Sequence, residues 1–171
     1  MKIRQDFVTN SSSSSFILAF NNKDKAIQEI ASLAYEYPDA IGYLIRDIQD
    51  AKPLTTDELN EILFNEADEY AYIQMCIGNG YWYSEDKPTF QNLFLKKHPE
   101  CSLIDMYQHP EYLAERKRIV EEYVAKIKNK IEKNSYIVKL DYSDNDGEIF
   151  SELEHEIMPN APGVIAEFNH H

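Results

Sequence analysis

The chain has 171 residues, 43 % of them hydrophobic and 12 % aromatic, and a net charge of −13. This composition excludes intrinsic disorder and is enough to bury one core, so a single domain over 1–171 is expected. No apolar run approaches the roughly 18–20 residues that span a bilayer, and MKIRQDFVTN lacks the apolar stretch of a secretory signal.

Other features refine that class. Cys76 and Cys101 have no CxxC partner. They read as free thiols of a reducing compartment, which makes the cytoplasm the expected location. The charge is uneven: residues 53–95 and 134–171 each carry one basic and eight acidic groups, whereas 96–133 carry nine basic and seven acidic. No segment offers a phosphate-binding face by charge, so no nucleic-acid partner and no membrane partner is expected. The acidic blocks suit a cation or a basic protein, with solvated surface as the plain alternative.

In chain order, KIRQDFV and SFILAF read as extended segments around TNSSSS. After Asn21-Asn22 a helical stripe runs through Ala26, Ile27, Ile30, Leu33, Ala34 and Tyr37. Pro38 breaks it and opens a second helix with Ile41, Leu44, Ile45 and Ile48 on one face. Thr55 and Glu58 form a capping-box pattern for a third helix that should end near Gly78-Asn79-Gly80. An aromatic loop, YWYSEDKP, precedes a short helix in TFQNLFLKKH. His109-Pro110 then starts a long helix expected to reach about Lys133, its buried seam marked by Leu113, Arg116, Val120, Tyr123, Val124, Ile127 and Ile131.

Beyond Asn134 the period becomes alternating. YIVKLDY reads as a strand with Ile137 and Lys139 facing away from Val138 and Leu140, and SDNDG as a tight turn. EIFSELEHEI fits either a hairpin strand or a short helix, and VIAEF reads as a last strand. The fold class is therefore α+β: a small mixed or antiparallel sheet built from both chain ends, with a helical middle packed on one side.

Two stretches stand out. DFVTNSSSSSF (Asp6 to Phe16) resembles the N-terminal signature of a group of small bacterial and phage-associated proteins. YSDNDGEIFSELEHEI (Tyr142 to Ile157), running on to His170-His171, resembles the C-terminal signature of the same group. Together they cover about a quarter of the chain. The group has no established activity, so the resemblance implies kinship without mechanism. It also implies that His170 and His171 belong to the native protein.

Three candidate sites follow. In the acidic tail, Glu152, His155 and His170 are the best-grouped metal ligands, and a divalent metal is the cofactor that carboxylates with imidazoles would take. Known spacings fail there. A calcium loop on DNDG would begin at Tyr142 and close on Leu153, the single Glu-x-x-His lacks a second copy, and HExxH is absent. A polar turn with a hydrogen-bonded histidine is the alternative. Ser11, Ser12 and Ser13 of the serine run could present hydroxyls and N–H groups to a ligand, or simply pack closely; neither GxSxG nor SxxK accompanies them. Trp82 and Tyr83 would serve an interface if exposed and a core if not. His98 and His109 read as capping or loop residues.

No full catalytic set emerges. The leading expectation is a cytoplasmic protein-binding or regulatory protein with a protein partner or self-association. The alternatives are a metal-dependent, hydrolase-like enzyme using the tail and an acidic mimic of nucleic acid.

Overall fold

The computed structural model describes residues 13–77, 88–131 and 135–170, apart from the side chains at 169 and 170. They fall into two compact units, one from the described parts of Met1–Leu54 and Lys130–His171, the other Thr55–Asn129.

The first unit holds the sheet. Strand β1 (Ser13–Phe20) lies between β2 (Tyr136–Ser143) and β3 (Val164–His170), and both pairings are antiparallel. The segment SFILAF takes the centre because it is apolar on both faces: Phe16, Ile17 and Leu18 have no exposed surface. In β2, Val138, Leu140 and Tyr142 point into the core, while Lys139 faces the other way and pairs with Asp141 at 2.7 Å. Helices α1 (Lys23–Ala31) and α2 (Pro38–Asp50) cover one face, burying Ala26, Ile30, Ala40, Ile41, Leu44 and Ile48 against Phe16, Leu18 and Phe20.

Capping sets the helix limits. Asn22 accepts a hydrogen bond from the Lys25 N–H at 2.8 Å, and Pro38 occupies the first turn of α2, where its missing N–H costs nothing. The expected stripe to Tyr37 is shorter as α-helix. α1 stops at Ala31, where Ser32 bonds back to the Glu29 carbonyl at 2.6 Å. Leu33, Ala34 and Tyr37 still pack on the core from the following turns.

Residues 148–157 are helical, not a hairpin strand: α7 (Glu148–Glu152) is continued by a π-helical turn, Leu153–Ile157, and a 3₁₀ turn, Met158–Asn160. The reason lies in the apolar spacing. Ile149, Phe150, Leu153 and Ile157 share a helical face, and all four pack on the core with Met158.

The second unit is helical. It contains α3 (Thr56–Tyr72) with a π-helical turn Ile73–Ile77, α4 (Phe90–Lys97), α5 (Leu103–Gln108) and α6 (Pro110–Lys128). The Thr55–Glu58 capping box forms in both directions, at 2.8 and 3.2 Å. Helix α5 was not expected from the sequence; its six residues start at a second capping box, Ser102 with Asp105. Two features of α6 depart from expectation. The helix ends at Lys128 rather than near Lys133, with Asn129 as its C-cap. Leu113, assigned to the buried seam, is 49 % exposed, while its neighbour Tyr112 is fully buried among Met75, Phe94 and Met106. The seam runs through Tyr112, Arg116, Val120, Tyr123, Val124 and Ile127, so within the helix Leu113 is the expected residue that is displaced. Arg116 makes a bidentate pair with Asp68 of α3, its Nε donating to Oδ1 at 2.7 Å and its second nitrogen to Oδ2.

Among the described residues no helix is long and apolar enough to cross a membrane.

Candidate functional sites

Two places in the structure gather polar or exposed groups that packing alone does not require. The first is the serine end of the sheet. Register sets Ser13 opposite Ser143 on one side and His170 on the other, and Ser15 opposite Asp141 and Phe168. Strand alternation sends Ser14 and Ser15 to opposite faces. Ser15 Oγ donates to Asp141 Oδ1 at 2.5 Å. Ser14 Oγ donates to Glu154 Oε1 at 2.8 Å, and both residues are buried, at 4 % and 1 % exposure. Glu154 Oε2 is buried without a hydrogen bond among the described residues, 3.7 Å from His155 Nε2.

This arrangement sorts the expected tail residues. Glu152 is half-buried, Glu154 points into the core, and His155 faces outward with half its side chain exposed. His170 is placed only through its backbone opposite Ser13; its side chain lies outside the described residues, as do Ser11, Ser12, Trp82, Tyr83 and His171. Among the described residues no three His, Cys, Asp or Glu side chains form a group able to hold a metal ion. The buried Ser14–Glu154 bond escaped the sequence reading, although a signal for it exists. Once 148–157 is read as a helix, Glu154 falls four residues after Phe150, on the inward face.

Nearby, Tyr142 donates its hydroxyl to Asp47 Oδ2 at 3.0 Å, tying β2 to α2. Burial, reinforced by the Asp47 carboxylate, holds this phenol well above its ordinary value of 10.0. The sign follows from linkage. Below pH 10 the folded and unfolded states both keep the proton, so stability is flat. Above it the unfolded chain ionises first, and stability falls as pH rises, by up to about 1.4 kcal/mol per pH unit for one group. Urea midpoints taken between about pH 9 and 11.5 should decline, and Tyr142→Phe should make the decline shallower. An unchanged slope would remove Tyr142 as a source of the alkaline sensitivity.

The second place is a cleft of about 670 Å³ in the helical unit. Its apolar lining includes Tyr70, Met75, Phe90, Leu93, Ile119 and Tyr123. Tyr70 and Tyr123 lie ring against ring with centroids 4.6 Å apart. Burial, with Glu66 and Tyr70 nearby, raises the Tyr123 phenol. The α6 wall adds Glu115, Arg118, Glu122 and Lys126. Arg118 is held by Glu115 through bonds of 2.9 and 2.6 Å and by Glu122 at 2.7 Å. These pairs lower the Glu115 carboxyl and raise the Arg118 guanidinium. Of this set, Tyr70 reads from the sequence as part of an aromatic surface with Tyr72 and segment 81–83, and Tyr123 as buried seam; the other residues are scattered over three helices, and nothing in the sequence joins them into one site.

At the far end of α4, His98 and His109 take capping positions. His109 Nδ1 accepts from the Glu111 N–H at 3.2 Å, and His98 Nε2 lies 3.3 Å from the Glu111 carboxylate. Their rings meet Phe94, His98 tilted at a centroid distance of 4.6 Å and His109 edge-on at 4.9 Å.

No family model, curated protein or solved structure matches the chain.

Proposed function

We propose that this chain is a cytoplasmic protein-binding or regulatory protein, kin to the bacterial and phage-associated group its two ends resemble, and that it binds through the cleft of its helical unit. One observation carries the reading. Among the described residues eight large apolar side chains are exposed, and seven of them lie in Thr55–Asn129, with Tyr70 and Leu93 in the cleft itself. Tyrosine and leucine left half in water beside a groove lose that contact with water when a partner covers them, at about 25 cal/mol per Å². The mixed charges of the rim would orient a protein partner without favouring a polyanion. Burial of Ser14 and Glu154 supports a structural role for that pair.

Leu93 is 54 % exposed, so Leu93→Asp should leave the fold intact. In affinity capture with the full chain, the bound partner should weaken by about tenfold or more in Leu93→Asp and be retained in His155→Ala. Capture indifferent to Leu93→Asp would overturn the cleft as the binding surface, as would loss that follows His155→Ala instead.

A further inference from the structure

The charged wall of the cleft has an order that points to its partner. Along α6 the signs run Glu115, Arg118, Glu122, Lys126: negative, positive, negative, positive. At 100° per residue these four and the intervening Ile119 and Tyr123 occupy an arc of roughly 140°, so they form one face. Read backwards, the charge series inverts. Two such helices packed parallel would set each charge against its own kind, whereas packed antiparallel they set every charge against its opposite.

An antiparallel pair about a two-fold axis demands that if position i meets j, then j meets i. Glu115 with Lys126, Arg118 with Glu122, and Ile119 with Tyr123 all meet this condition, because each pair is centred within one residue of Val120. One axis therefore serves both charge pairs and the apolar pair between them. The face is also neutral on a chain of net charge −13, which removes local repulsion between two copies. Within one copy the ladder is incomplete. Arg118 is bonded to both glutamates, but among the described residues Lys126 has no ion pair. An antiparallel neighbour would supply Glu115 to it.

We propose that the occupant of this surface is a second copy of the chain, joined as a two-fold dimer through antiparallel α6 helices. This rests on the cleft being the binding surface. In the dimer Glu115 of each copy faces Lys126 of the other, Arg118 faces Glu122, and Ile119 packs on Tyr123 across the axis. Surface ion pairs contribute little affinity singly, so the ladder sets register and direction, while the surface of Ile119 and Tyr123 that their own unit leaves uncovered, with exposed Tyr70 and Leu93 beside it, supplies the attraction.

The test is sedimentation velocity of the full chain from about 1 to about 200 µM, with far-UV circular dichroism as a check on folding. The wild-type chain should dimerise with concentration. Lys126→Glu places two glutamates opposite each other twice per dimer and should weaken association by about tenfold or more. Glu115→Lys with Lys126→Glu restores opposite signs and should return association to within about threefold of wild type. Dimerisation unmoved by Lys126→Glu, or not rescued by the double exchange, overturns the antiparallel dimer. So does a chain that is monomeric throughout. If that monomer still captures another protein in a Leu93-dependent way, the cleft reading stands and only the identity of its occupant changes. Capture independent of Leu93 removes both.

Discussion

Ser14→Ala should destabilise the chain by about 2–3 kcal/mol, a large effect for the loss of one oxygen atom. Ser14 and Glu154 are buried at 4 % and 1 % exposure, and the Glu154 carboxyl receives the Ser14 hydroxyl at 2.8 Å on Oε1. Its other oxygen is already without a hydrogen bond among the described residues. Removing the hydroxyl leaves Oε1 without this donor in a site that water does not reach, and the half-exposed His155, 3.7 Å from Oε2, offsets little of the group's desolvation. The paired change Ser14→Ala with Glu154→Met removes the donor and the acceptor together and keeps much of the volume. It should recover most of the loss, because a well-packed apolar pair is about as stable as a satisfied buried polar one. Denaturant midpoints for the two variants decide this. A Ser14→Ala protein within about 0.5 kcal/mol of wild type would show that the bond contributes nothing net.

This bond also shows how far the sequence could be read. The two distinctive ends were expected to share a sheet, and their described residues do: β1 carries Ser13, Ser14 and Ser15 between strands β2 and β3 of the tail. Strand alternation placed Val138 and Leu140 inward and Lys139 outward, because period-two patterning maps directly onto a half-buried strand. Thr55–Glu58 was readable as a cap because the capping box is a local device needing only four residues. What could not be read depends on contacts distant in sequence. Ser14 and Glu154 are separated by 140 positions, and nothing near either residue marks the other. Residues 148–157 were ambiguous because ten residues hold few periods of either kind. Their helical state is decided by how Phe150, Leu153 and Ile157 meet α2 and β2. Leu113 was misassigned for a related reason. Leu113 and Tyr112 both fit an apolar stripe through Val120, and only the packing of Met75, Phe94 and Met106 selects Tyr112. The cleft was invisible because it is made by α3, α4 and α6 together, and exposure is a property of the folded unit.

Gly163→Ala should cost about 2–4 kcal/mol, from two separable sources. Gly163 has φ of +80°, a conformation in which a Cβ atom is strained by about 1 kcal/mol. A Cβ there would also come within 3.0 Å of three carbons of the Phe20 ring, and Phe20 is a core residue at 5 % exposure. The ring cannot swing away without disturbing α1 and β1. The position matters for topology as well: the Gly163 carbonyl accepts the Ala19 N–H at 2.9 Å beside the register shift between Ile17 and Leu18, so it fixes how β3 enters the sheet. The steric part should be relieved by shrinking the neighbour. Gly163→Ala with Phe20→Leu should therefore cost less than the sum of the two single changes, by about 1 kcal/mol or more. Strict additivity would assign the whole loss to the backbone, and the close approach of Gly163 to Phe20 would then have no energetic weight.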